Sequence, residues 1–117
     1  MPSLNWNQEY ALEQTAGDKE LLQELLSLFK TSFAADLKKI ERAIKDNNPH
    51  DLATAAHSIK GAAASLGIEG VRSLALELEK KGLNGSLDAL NGEITGLKEL
   101  LPMVERLSST WDSAKPE

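Results

Sequence analysis

The stretch DKELLQELLSLFKTSFAADLKKIERAIKDNN, residues 18–48, decides the fold. Apolar residues recur in it at Leu22, Leu26, Phe29, Phe33, Leu37, Ile40 and Ile44. Steps of three and four draw one stripe along a helix, with lysines, glutamates and aspartates on the opposite face. Asp18 is placed to cap the start, and Asn47-Asn48-Pro49 is a stop. A long helix with one apolar face needs partners that bury it.

The flanking sequence supplies those partners. A shorter helix is predicted from Asn7 to Thr15, ending at Gly17. Pro49 suits a first helical position, and the helix it opens runs to Gly67 with Leu52, Ala56, Ile59, Ala63 and Leu66 inward. Another covers Glu69 to about Lys81, turning Val71, Leu74, Ala75 and Leu78 inward, and is ended by Gly82 and the turn Leu83-Asn84-Gly85-Ser86. The last carries Leu87, Leu90, Ile94, Leu97, Leu101 and Val104, then Leu107 or Trp111. Pro102 lies inside it and should kink it, because proline lacks the backbone donor and clashes with the preceding turn.

No segment alternates with period two, so no strand is predicted. Short polar turns between amphipathic helices imply antiparallel neighbours. The expected fold is all-α: an antiparallel four-helix bundle with a short N-terminal helix across one end. It forms a single domain over residues 1–117, with an ordered core at about 7–112 and a frayed tail Ser113–Glu117. Trp6 and Trp111 are expected to pack the bundle's ends, and the pairs Lys38-Lys39 and Lys80-Lys81 to be solvated.

Composition narrows the function classes. Hydrophobic residues make up 41% of the 117 and charged residues 26%, as in ordinary globular proteins. A formal net charge of -5 argues against nucleic acid or an anionic membrane as partner. The chain has no cysteine, which excludes disulfides and thiolate chemistry. No apolar run approaches the ~18 residues of a membrane span, and the N-terminus lacks a signal-peptide pattern, so a cytoplasmic location is expected.

Chemistry concentrates in AAHSIKGAAASLG, residues 55–67. At 3.6 residues per turn, His57, Lys60, Gly61 and Ala64 share one strip beside the inward stripe. Glycine inside a helix costs about 1 kcal/mol relative to alanine, so Gly61 calls for a reason. One reading is clearance: an imidazole standing free as a nucleophile, with the Lys60 charge one turn on. The other is a solvated histidine and a glycine serving tight helix packing. Spacing alone leaves both open. His50, His57 and Asp51 could be read as metal ligands, but Lys60 on the same face opposes a cation.

Residues 57–67, His-Ser-Ile-Lys-Gly-Ala-Ala-Ala-Ser-Leu-Gly, resemble the signature of histidine-containing phosphotransfer (HPt) domains. There a phosphoacceptor histidine is followed by a hydrophobic residue, lysine, glycine and small residues. Ser73–Gly82 also resembles that family's next helix. The resemblance implies a bundle that relays phosphoryl groups between aspartates of receiver domains. His57 is then the phosphoacceptor, Lys60 the charge partner, Gly61 the clearance residue, and Glu79 the side chain set against the histidine. It further implies a carrier without its own kinase activity, ATP site or cofactor, with Mg²⁺ held by the partner receiver. The expected partners are receiver domains of hybrid sensor kinases and response regulators, met by a monomer. Two alternatives accompany this reading: a helical adaptor without chemistry, and a domain phosphorylated directly by a chemotaxis-type histidine kinase. Whether Ser58 or Ser65 has a polar role is open at this point.

Overall fold

The computed structural model describes residues 2–111. Met1 and residues 112–117 lie outside the described residues, and with them the expected end of the core at Asp112 and the tail expected to fray. Five helices follow in order: α1 (Gln8–Gln14), α2 (Lys19–Lys45), α3 (Pro49–Leu66), α4 (Glu69–Leu83) and α5 (Asn91–Thr110). Neighbouring pairs are α2–α3, α3–α4, α4–α5 and α5–α2, so the four long helices close a ring, with α1 against α3 and α2. The pairing is antiparallel. Ser27 and Glu41 of α2 meet Ser108 and Lys98 of α5 in reversed order, and Gly82 of α4 lies against Pro49 and Ala53 at the start of α3.

The α2 stripe builds the core. Leu22, Leu26, Phe29, Phe33, Leu37 and Ile40 are buried, and Phe29 stacks on Phe33 at 5.4 Å between ring centroids. Each such side chain contributes about 1.5–3 kcal/mol through burial. Ala43 is buried where Ile44 was expected, and Ile44 is only partly so. On α3, all five residues expected inward are buried. On α5, Leu100 is buried and Leu101 only partly, a shift of one residue along the stripe. The α5 helix runs through Pro102 as one element.

Three local expectations are corrected. The α4 helix does not stop at Gly82 but continues to Leu83. Gly82 serves close approach instead: a Cβ there would sit 2.9 Å from Ala53 N and from Pro49 O. The two tryptophans do not close opposite ends. Trp6 and Trp111 meet edge to face at 5.5 Å, with Trp6 Nε1 donating to Leu66 O and Trp111 Nε1 to Lys19 O. Order also begins before Asn7, because Leu4 and Trp6 pack on the core and Gly70 N donates to Leu4 O. Among the described residues there is no strand, only an isolated antiparallel bridge between Trp6 and Ile68.

Candidate functional site

The site rests on α3, whose ends are fixed by ordinary capping chemistry. The Asn48 side chain accepts from Asp51 N at 3.1 Å, and Pro49 takes the first turn. At the other end Gly67 adopts the left-handed conformation, φ 70°, which glycine enters without steric cost. Between the caps, the buried alanines 53, 55, 56 and 63 let α3 lie close to its neighbours. That packing turns a strip of His57, Gly61 and Ala64 toward the surface.

His57 stands on this strip with 67% of its side chain exposed. A Cβ built at Gly61 would meet nothing within 4 Å. Tight packing inside the chain is therefore not what glycine provides at 61, unlike at 82. Among the described residues no packing contact offsets the helix penalty at Gly61.

From the neighbouring helix, Glu79 reaches the ring. Its Oε2 lies 2.6 Å from His57 Nδ1, and its Oε1 accepts from Lys60 Nζ at 2.5 Å. The Glu79 side chain is only 12% exposed. Burial pushes its carboxyl up, but the hydrogen bonds from Lys60 and His57, with their charges, outweigh that and leave it below the ordinary carboxylate range. An ionised carboxylate only accepts, so Nδ1 carries the hydrogen. The neutral ring then keeps its lone pair on Nε2.

The structure thus brings His57, Lys60 and Glu79 into one hydrogen-bonded group, with Gly61 one turn along. Lys60 is engaged by Glu79 rather than standing free. His50 is exposed near the start of α3, and among the described residues no group of three or more His, Cys, Asp or Glu side chains is arranged to hold a metal. Lys81 is not a solvated residue: it donates to Ala89 O and to Glu93, tying α4 to α5.

One further residue was not found from sequence, and it gives Ser58 its polar role. Asp36 of α2 is buried, and its Oδ2 accepts from Ser58 Oγ at 2.8 Å. A signal for it existed. Asp36 falls three residues after Phe33 and four before Ile40, the same rhythm as the apolar stripe. Ser65, the other serine left open, bonds only to Ala62 O on its own helix.

Comparison with known proteins places this arrangement. No protein of curated function matches the sequence. Among solved structures, histidine-containing phosphotransfer protein B from Pseudomonas aeruginosa PAO1 superposes with a TM-score of 0.82 at 19% identity, covering 90% of this chain and 91% of that one. The HPT domain of an Hpt sensor hybrid histidine kinase from Shewanella gives 0.74 at 22% identity, covering 90% and 94%. At such identities the likeness establishes the bundle. Family membership comes from the sequence, where the model of the Hpt domain matches residues 24–110, from early α2 to the end of α5. The chain therefore belongs to the Hpt domain family, the phosphotransfer modules of two-component signalling.

Proposed function

We propose that His57 is the phosphoacceptor, and that the chain carries a phosphoryl group between aspartates of receiver domains. The observation that supports this most directly is the contact of Glu79 Oε2 with His57 Nδ1 at 2.6 Å, on a ring that is otherwise open to a partner. With its hydrogen held on Nδ1, the ring attacks through Nε2. The N–P bond forms as the acyl phosphate bond of a receiver phospho-aspartate breaks, and the aspartate leaves as carboxylate. The ring is then cationic, and ionised Glu79 offsets that charge at Nδ1. Reversal returns the group to a second receiver. Lys60 lies within one turn of the ring and offers positive charge to the phosphoryl oxygens. Gly61 leaves room for the receiver to close on Nε2.

Phosphoryl transfer depends mainly on positioning and charge neutralisation. Mg²⁺ bound in the receiver supplies part of that neutralisation, and this chain contributes nucleophile, tautomer and clearance. It is in this reading a carrier with no kinase activity or ATP site of its own. The cytoplasm, where receivers operate, is its place of action. One chain suffices for the site, since α3 and α4 supply every member, so the proposed working state is a monomer. The test is incubation with a phosphorylated receiver domain and Mg²⁺, followed by detection of acid-labile label. Label on the chain that is lost in His57→Gln supports the assignment. Label that persists in His57→Gln overturns it.

A further inference from the structure

The α3 helix carries three hydroxyl side chains with defined partners. Thr54 Oγ1 bonds back to His50 O and Ser65 Oγ to Ala62 O, both on their own helix. Ser58 behaves differently: its hydroxyl crosses to α2 and donates to Asp36 Oδ2 at 2.8 Å. Hydroxyl side chains in helices usually turn back on the preceding carbonyls, so a crossing bond marks a specific partner. Among the described residues, Asp36 is the one charged residue that is buried. Its other oxygen lies 3.7 Å from Lys39 Nζ, on a side chain that is largely solvated.

The placement along α3 matters more than the bond alone. Among the described residues, the side-chain hydrogen bonds that join α3 to α2 or α4 all come from His57, Ser58 and Lys60. On one flank Glu79 of α4 takes His57 and Lys60, and on the other Asp36 of α2 takes Ser58. Elsewhere α3 packs on α2 and α4 through alanine, leucine and isoleucine, and Trp6 Nε1 holds only its last turn, at Leu66 O. Apolar contacts tolerate small rotations and slides, whereas a hydrogen bond to a buried carboxylate fixes both distance and angle. Ser58 follows His57 in sequence and points about 100° away around the helix. A rotation of α3 that lengthened the Ser58–Asp36 bond would also shift the imidazole relative to Glu79.

We infer that Asp36, acting through Ser58, is a positioning residue for His57: it fixes the rotation of α3 so that the ring meets Glu79 and presents Nε2 outward. The inference rests on His57 being the phosphoacceptor, but its structural part can be decided without any receiver. The bond holds α3 from its α2 flank, about 100° around the helix from the flank that Glu79 holds. Asp36 itself stays clear of the phosphoryl group.

The test compares wild type, Ser58→Ala, Ser58→Thr, Asp36→Ala and the double variant Asp36→Ala/Ser58→Ala, each checked for helicity and monitored well below its melting temperature. The first readout is the ¹⁵N signature of the His57 ring, which reports the proton on Nδ1. The second is the rate of transfer at saturating phosphorylated receiver, alongside the receiver concentration giving half that rate. Ser58→Ala is expected to loosen the Nδ1 signature and lower the saturating rate by about tenfold, since small misplacements of a reacting group are costly. The half-saturating concentration should stay within about twofold of wild type, which the same positioning argument requires. Ser58→Thr, which keeps the hydroxyl, should restore both readouts. The double variant should lose no more than either single one, because both remove the same bond. A Ser58→Ala chain that is less stable but has a wild-type ring signature and rate would reduce the pair to a structural bond and overturn the inference. Losses that add in the double variant would overturn it too. Because the ring signature needs no receiver, it decides the positioning claim even where His57→Gln retains label and the phosphotransfer reading fails.

Discussion

Glu79 and His57 face each other across the α3–α4 interface at 2.6 Å, and the same carboxylate also receives Lys60. Two donors on one nearly buried carboxylate hold its pKa below 4.5, the ordinary value, against the upward push of burial. A carboxyl depressed in the folded state stabilises the protein above its unfolded pKa, and that contribution is lost as pH falls through the folded value. Glu79→Gln should therefore be less stable than wild type at neutral pH. The gap should narrow below about pH 4.5 and close once Glu79 is protonated in both states. Urea midpoints of both proteins from pH 7 to pH 3 measure it. A gap that does not change with pH would show that the Glu79 charge adds nothing to stability.

Loss of the same carboxylate should reach the chemistry through the tautomer. Glu79→Ala is expected to keep the helical fold and slow transfer on the order of a few-fold, because the neutral ring then divides between its two tautomers. Transfer at the wild-type rate, together with an unchanged ring ¹⁵N spectrum, would remove Glu79 from the mechanism.

Glycines 61 and 82 give opposite forecasts for one type of change. Space is open around Gly61, and alanine is the better helix former, so Gly61→Ala should gain up to about 1 kcal/mol. Gly82→Ala drives a Cβ to 2.9 Å from backbone atoms of α3 and should lose about 1–3 kcal/mol. Gly61→Leu should remain folded yet slow transfer about tenfold or more, since the added side chain stands where a receiver must approach. A well-folded Gly61→Leu chain with normal transfer would end the clearance argument.

These contrasts show what the sequence made legible. The 3,4 rhythm of α2, the cap at Asp18 and the stops at Asn47-Asn48-Pro49 and Gly67 were enough for the bundle, because burial and helix termination are local rules. The His57–Lys60–Gly61 strip followed from helical geometry, and Glu79 from resemblance to the HPt pattern. Gly82 was misread as a stop because glycine ends helices and also admits close packing, and only the approach of Pro49 and Ala53 distinguishes the two. Asp36 went unnamed among the aspartates placed opposite the apolar stripe. Its reason is Ser58, 22 residues away, and no local rule connects the two. The tryptophans meet because the chain brings its two ends to one end of the bundle, a property of topology rather than of either segment.

Lys60 should matter more for the phosphorylated than for the free protein. Free, its side chain is 27% exposed and shares Glu79 with the ring, which still contacts that carboxylate when Lys60 is removed. Phosphorylation adds a dianionic group within its reach, so Lys60→Ala should shift the equilibrium of the group toward the receiver by roughly fivefold, about 1 kcal/mol. The measurement is the ratio of labelled chain to labelled receiver at equilibrium. Identical ratios for Lys60→Ala and wild type would leave Lys60 with its Glu79 contact alone.

The final prediction separates a carrier from a kinase substrate or a self-phosphorylating enzyme. His57 lies on an open helix face, with a lysine and a carboxylate beside it. A receiver, in contrast, delivers the phosphoryl group together with the carboxylates that hold its metal. ATP and Mg²⁺ alone should give no label, whereas a phosphorylated receiver and Mg²⁺ should. His50→Gln should leave receiver-driven labelling intact, because His50 lies two turns away on the exposed start of α3. Label from ATP alone would identify a kinase activity in the chain itself. Label that needs ATP and a histidine kinase, with none from any phosphorylated receiver, would make the chain a kinase substrate. A chain that takes no label from either source, and binds its partner equally well as His57→Gln, would be an adaptor built on the same bundle.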